Sequence, residues 1–104
     1  MVKYLCNAFS LQMVADNADI RKRKVSTEEA ASLVKDAESA IGHADTAYLV
    51  GKQLGREVSC NRVNVSLKSG DAIVVAQYRG PRLAEGTTVL PEGAVIEYFT
   101  VEVL

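Results

Sequence analysis

The sequence predicts an α/β fold of the α+β type: a single compact domain in which helices pack on a mixed sheet of about five strands. Three observations lead to this prediction. The chain has 104 residues, the length of one domain. Apolar runs typical of strands lie near both ends of the chain. Between them, apolar residues recur three and four positions apart, which is the periodicity of an amphipathic helix.

The first part of the chain is predicted to contain one strand and one helix. Residues 2–9, VKYLCNAF, are expected to form a strand inside the sheet, because apolar residues occupy both of its faces. Residues 10–24 are expected to be irregular. Ser26 is the predicted N-cap of the helix, with Glu29 three residues later as in a capping box. This helix is expected to end near residues 38–40.

The second part is predicted to contain one helix followed by three strands. The helix runs from about His43 to Leu54 and ends at Gly55, which suits the left-handed backbone of a helix C-terminus. The three strands are the alternating segment RVNVSLK (62–68), the nearly all-apolar AIVVAQY (72–78) and the terminal AVIEYFTVEV (94–103).

Composition narrows the classes of function. The formal net charge is −1, so bulk electrostatics would not draw the chain onto DNA or an anionic membrane. We expect no membrane segment, because no run of 18 apolar residues occurs. We expect no signal peptide, because Lys3 is followed directly by strand-like sequence. Cys6 and Cys60 match no metal or redox spacing, which favours free thiols in a reducing cytoplasm. With one histidine and two dispersed cysteines, we expect no zinc site. A magnesium site made of carboxylates stays open, although no Asp/Glu cluster suggests one, and we expect no cofactor.

His43 is the only histidine of the chain, and it directly follows Gly42. In one interpretation it begins a buried apolar stripe and bonds a carbonyl group. In the other it lies at the N-terminus of the second helix, where free N–H groups and the helix dipole favour a phosphate. Gly42 would let a ligand approach the backbone, and the imidazole would donate a proton to a departing oxygen.

Three further signals each allow two interpretations. Arg82 and Glu85 could bind a phosphate and orient an attacking hydroxyl, or form a solvated salt bridge. Asn7 and Ser10, at the exit of the first strand, could contact a ligand or form a turn. The basic run RKRK (21–24) could attract nucleic acid, or belong to a solvated loop or edge strand.

With these signals taken together, the sequence resembles the small viral and phage proteins that act as type III anti-CRISPR ring nucleases. The resemblance covers essentially the whole chain. Its motifs are Asn-Ala-Phe-Ser from residue 7, Ser-x-Ile-Gly-His-x-x-Thr from residue 39 and Arg-Leu-x-Glu-Gly from residue 82. One position departs from the pattern, since this chain has Gln12 where relatives often carry Asn.

The resemblance implies a homodimer that binds cyclic tetraadenylate and cleaves it to linear di-adenylates without a metal ion. It implies no membrane partner and no stable nucleic-acid partner. The residues implied in catalysis are His43, Arg82 and Glu85. The residues implied in ligand binding are Asn7, Ser10, Gly42 and Gln77.

Two other functions remain open at this point. The chain could be a viral nucleic-acid-binding protein that uses residues 21–24 and Arg62 on an exposed strand face. It could also bind the cyclic messenger without cleaving it, as a sponge.

Overall fold

Residues 2–104 fold around one five-stranded sheet with two helices on one of its faces. The structure, a computed structural model, describes residues 2–104. In this range the strands are β1 (Val2–Cys6), β2 (Ile20–Val25), β3 (Glu38–Ala40), β4 (Ala72–Arg79) and β5 (Val95–Val103), the helices are α1 (Thr27–Leu33) and α2 (Ala44–Leu54), and Leu11–Met13 form one 3-10 turn.

The sheet is mixed, as predicted. Its strand order is β2-β5-β4-β1-β3. β1 pairs in parallel with both β3 and β4, whereas β5 pairs antiparallel with β4 and β2. β4 lies in the centre and is buried throughout residues 72–76, as its apolar run predicted. The predicted fold class, a single α+β domain with about five strands, is confirmed.

Helix α1 begins where the sequence predicted and ends earlier. The Ser26 hydroxyl accepts a hydrogen bond from the Glu29 N–H at 3.0 Å, which satisfies one of the free donors of the first turn. The predicted end near residues 38–40 is wrong. The helix stops at Leu33, and Glu38–Ala40 instead extend along β1 as the short strand β3.

Helix α2 agrees closely with its prediction. It begins after the N-cap His43 and ends at Gly55, whose φ of 71° lies in the left-handed region. Its apolar stripe, Ala47, Val50 and Leu54, is buried against the sheet. Packing of this stripe fixes the direction of the helix and therefore the position of its N-terminus.

The two faces of the sheet carry different cores. On the helix face, the core joins both helices to alternate residues of β1, β4 and β5, such as Leu5, Val74 and Tyr98. On the opposite face, Cys6 and Val75 are covered by loop residues that include Leu67. Near β2 this second face is less covered, and its outermost residue Ile20 is 37% exposed.

The predicted strand at residues 62–68 is absent from the sheet. The segment instead runs over the second face as an irregular stretch, held by isolated backbone bonds such as the one from Leu67 N–H to the Met13 carbonyl at 2.7 Å. Leu67 is buried, but Val63 is 41% exposed. The alternation that suggested a strand therefore reflects a chain lying on the sheet, not a ladder within it.

The prediction that residues 10–24 are irregular is wrong at its C-terminal end. Ile20–Val25 form β2, an edge strand paired antiparallel with β5. The basic residues 21–24 are all exposed on this edge. The basic run therefore belongs to an edge strand. Charged residues on such an edge discourage strand pairing between molecules.

Candidate functional site

Sequence-predicted site residues gather at one edge of the sheet. β1, β3 and β4 run in parallel, so their carboxyl ends meet at the same edge. Asn7 follows β1, Gly42 and His43 follow β3, and Gln77 lies near the end of β4. Loops that follow strands at such an edge can contact a ligand, while the strands of the sheet fix their positions.

The imidazole of His43 caps α2 and faces solvent. Its Nδ1 atom accepts a hydrogen bond from the Thr46 N–H at 3.3 Å and lies 3.3 Å from the Thr46 hydroxyl oxygen. The residue is exposed. The interpretation in which His43 begins the buried stripe is therefore wrong, because the stripe starts one turn later, at Ala47.

The cap determines which ring nitrogen is available for chemistry. When Nδ1 accepts a hydrogen bond, the neutral ring carries its proton on Nε2. Nε2 is thus the nitrogen that can donate to a bound group.

A cavity of about 390 Å³ lies beside this ring, and we call it the imidazole cavity. It brings together three of the predicted residues and adds a cation. Its lining comprises Asn7, Ala40, Gly42, His43, Arg62, Val63 and Asn64. The lining contains no carboxylate, and the N-terminus of α2 adds partial positive charge. An anion with hydrogen-bond acceptors suits these surroundings.

Arg62 reaches the cavity because its chain segment is tied to the end of β3. The Asn61 N–H donates to the Ile41 carbonyl at 2.8 Å, and the Asn61 side chain donates to the Ser39 carbonyl at 2.7 Å. The Arg62 Nε then donates to the Gly42 carbonyl at 2.9 Å. A Cβ atom at Gly42 would lie 3.0 Å from the Arg62 side chain. Gly42 therefore makes room for this arginine.

Sequence reasoning missed Arg62 and Asn64 as residues of this cavity. Arg62 was predicted to lie on the exposed face of a strand that the structure does not contain. The contacts that bring Arg62 to Gly42 join residues 20 positions apart in the chain. No local pattern encodes such a contact, so only the fold reveals it.

A second cavity, of about 360 Å³, lies on the sheet face opposite the helices, and we call it the sheet-face cavity. It contains Gln77 and shares Asn7 with the imidazole cavity. Two further lining residues are Phe99 and Lys22, whose ammonium nitrogen lies 5.0 Å from the centre of the Phe99 ring. The two cavities are therefore neighbours, joined at Asn7.

The charges next to Gln77 are partly neutralised. Glu97 pairs with Gln77 across β4 and β5. Its carboxylate accepts a hydrogen bond from Lys24 at 2.8 Å and another from Arg79, and both bonds lower the pKa of Glu97 below its usual range. Lys24 and Arg79 are thus less available to a polyanion than their exposure suggests.

The remaining predicted residues lie outside both cavities. Ser10 caps the 3-10 turn, where its hydroxyl accepts a hydrogen bond from the Gln12 N–H at 3.3 Å. Arg82 and Glu85 are exposed in the loop that follows β4. That loop is anchored near its start, where the Tyr78 hydroxyl donates to the Pro81 carbonyl at 2.6 Å. The structure therefore groups Asn7, Gly42, His43 and Gln77 and leaves the other three apart.

Within residues 2–104, no cluster of three or more His, Cys, Asp or Glu side chains has the proximity needed to hold a metal ion. None of the helices in the described part of the chain is long and apolar enough to cross a membrane.

Comparison with known proteins places the chain in a family. The sequence model of the STIV B116-like family matches residues 3–98. The chain belongs to the STIV B116-like family. Among solved structures, B116 of Sulfolobus turreted icosahedral virus (STIV) is similar, with 27% sequence identity, a TM-score of 0.83 and a match that covers 97% of each chain. The protein is accordingly a small α/β protein of viral type. A comparison with curated proteins finds no significant match.

Proposed function

We propose that the protein is a metal-independent ring nuclease. It binds cyclic tetraadenylate and cleaves it to linear di-adenylates with 2′,3′-cyclic phosphate ends, which switches off type III CRISPR signalling in the cytoplasm of an infected cell. The observation that carries the proposal is the exposed His43 imidazole, which shares a carboxylate-free cavity with Arg62 at the N-terminus of α2. The anti-CRISPR family resemblance supplies the substrate.

The chemistry requires little from the protein because the ligand brings its own nucleophile. In a ring of ribonucleotides, the 2′-hydroxyl lies next to each phosphodiester. Its oxygen loses its proton to solvent and attacks phosphorus, the bond to the 5′-oxygen breaks, and that oxygen takes a proton from the protein. The protein has to align these three atoms and supply the proton, and such proton donation accelerates a reaction by roughly 10²–10⁴-fold.

Three side chains of the imidazole cavity would serve this reaction. His43 Nε2 would donate the proton to the departing 5′-oxygen. Arg62, whose planar guanidinium suits phosphate oxygens, would stabilise charge on the phosphoryl group. The side-chain amide of Asn7 would bind the ligand at the point where the imidazole and sheet-face cavities meet. From there the ligand would extend toward Gln77 in the sheet-face cavity.

A homodimer would fit the symmetry of this ligand. A cavity of about 390 Å³ lies at the low end of the range for small-molecule sites, which is room for part of a four-nucleotide ring. A ring of four identical nucleotides contains a two-fold axis, and so does an isologous dimer. Each protomer would then bind half of the ring and present one His43 to one of two phosphodiesters.

Arg82, Glu85 and Ser10 have supporting roles in this proposal. Because Arg82 and Glu85 lie outside the cavity, they would reach the ligand by movement of their loop or from the second chain of the dimer. We assign Arg82 to the phosphoryl charge and Glu85 to the orientation of the 2′-hydroxyl or the imidazole. Their replacement should therefore slow cleavage less than replacement of His43.

Product analysis tests the proposal. The protein is incubated in EDTA with cyclic tri-, tetra- and hexa-adenylate, and the products are separated by chromatography. We expect linear di-adenylates from the tetramer ring, and a loss of at least 100-fold in rate for His43→Ala with binding still measurable. An intact ring after prolonged incubation, or wild-type turnover by His43→Ala, would contradict the proposal.

Two alternatives give different results in the same experiments. A sponge would bind cyclic tetraadenylate and return it unchanged. A nucleic-acid-binding protein is the second candidate, favoured by the four exposed basic residues 21–24 of β2. It would bind DNA with a steep salt dependence that neutralisation of those residues removes.

A further inference from the structure

Thr46 contacts His43, the proposed acid, on the side of the imidazole that faces α2. It lies in the first turn of α2 and is only 8% exposed. Both its backbone nitrogen and its hydroxyl oxygen lie 3.3 Å from His43 Nδ1, the ring nitrogen that faces away from the proposed reaction.

The two donors of Thr46 behave differently when the ring changes its charge. In the neutral ring, Nδ1 carries a lone pair and accepts a hydrogen bond from the Thr46 N–H. In the imidazolium ion, Nδ1 carries a proton and needs an acceptor. The backbone N–H cannot accept. The hydroxyl can, because it rotates and offers oxygen lone pairs.

We propose that Thr46 is a positioning residue that holds the second proton of His43 on Nδ1, so that the ring can act as an acid through Nε2. This inference rests on the proposed ring-nuclease function. In the step itself, the Nε2–H bond breaks and the proton joins the 5′-oxygen as its bond to phosphorus breaks. The imidazole is left neutral with its proton on Nδ1, and this N–H donates a hydrogen bond to the Thr46 hydroxyl oxygen. The attacking 2′-hydroxyl releases its proton to solvent, and solvent then returns a proton to Nε2.

Substitutions at Thr46 leave the charged residues near the imidazole unchanged. Arg62 shares the cavity with His43, and Asp45 lies in the same first turn of α2. Replacing Thr46 by valine removes the hydroxyl and keeps the branched shape of a buried side chain. Replacing it by serine keeps the hydroxyl. The pair Thr46→Val and Thr46→Ser therefore isolates one oxygen atom.

The single histidine allows a direct measurement that does not depend on activity. Nitrogen NMR of the ¹⁵N-labelled protein follows protonation of the one imidazole in the wild type and both variants. We expect Thr46→Val to require a pH lower by about one unit to form the imidazolium, a tenfold change in proton binding that matches the loss of a hydrogen bond to a charged group. Thr46→Ser should titrate as the wild type does.

Cleavage of cyclic tetraadenylate gives the second measurement. We expect kcat to fall about ten- to a hundredfold in Thr46→Val with KM unchanged, and to recover in Thr46→Ser. Identical titration of the Val variant and the wild type would overturn the inference, whatever the activity. A shifted titration in a protein that cleaves no ring would support the proton-holding contact and overturn the ring-nuclease function instead. Unfolding curves of both variants serve as the control for the fold.

Discussion

Replacing His43 by alanine and by asparagine separates its structural role from its proposed chemical role. The imidazole caps α2 through a hydrogen bond of 3.3 Å to the Thr46 N–H, which is longer than the usual 2.9–3.0 Å. Loss of an N-cap costs about 0.5–2 kcal/mol, and this long bond belongs in the lower half of that range. We therefore expect His43→Ala to lower the free energy of unfolding by about 0.5–1 kcal/mol, or Tm by roughly 2–8 °C.

Asparagine is the matched control because it caps helices well and does not donate an acidic proton. His43→Asn should recover most of the lost stability, since Asn is among the best N-cap residues. It should recover none of the cleavage. We expect both variants to cleave cyclic tetraadenylate at least 100-fold more slowly than the wild type, the lower end of what acid catalysis supplies.

Chemical denaturation followed by circular dichroism measures the first quantity, and chromatography of the products in EDTA measures the second. The reasoning fails if cleavage returns together with stability in His43→Asn, because the histidine would then act only as a cap. It also fails if His43→Ala unfolds at the same denaturant concentration as the wild type, because the observed cap would then contribute nothing.

Three further predictions concern the scaffold. Val50→Ala, in the fully buried stripe of α2, should lower the free energy of unfolding by about 2–3 kcal/mol, measured by denaturation, and an unchanged midpoint would refute the packing of α2 on the sheet. Cys60 is exposed, whereas burial raises the pKa of Cys6 to about 11. A thiol reagent should therefore modify only Cys60 in the native protein and both cysteines after unfolding. Rapid modification of both cysteines in the native protein would contradict this prediction. Because the pKa of Glu97 is lowered in the folded protein, its ion pairs stabilise the fold at pH values above the usual glutamate pKa, and this stability is lost as the pH falls through the folded pKa. The unfolding free energy of Glu97→Gln should therefore decline less steeply with acidification than that of the wild type. Equal slopes would argue against the two ion pairs.

Local signals in the sequence predicted the helices well. The capping arrangement at Ser26, the apolar stripe of α2 and the left-handed Gly55 each act within a few residues, so the sequence alone displays them. The short strand Glu38–Ala40 escaped prediction because three residues carry no readable alternation. Its identity depends on β1, which is more than 30 positions away in the paired residues.

The candidate site was predictable in part for the same reason. Asn7 directly follows β1, and Gly42 and His43 come shortly after β3, so any correct arrangement of these parallel strands brings them to one edge. Arg62 comes from an irregular segment that alternates like a strand, and its position depends on side-chain bonds to the end of β3. The spacing of Arg82 and Glu85 predicted that they lie near each other in the chain, but it could not show where their loop lies relative to His43.

The central claim is that His43 gives a proton to the departing oxygen of a cyclic oligoadenylate. The most direct test is a crystal structure with a ring whose attacking 2′-hydroxyl groups are blocked, so that it binds without being cleaved. The account predicts that Nε2 lies within about 2.6–3.2 Å of a phosphodiester 5′-oxygen, with Arg62 on the same phosphate. A ring bound elsewhere on the protein, or seated in the cavity with the imidazole turned toward solvent, would contradict it.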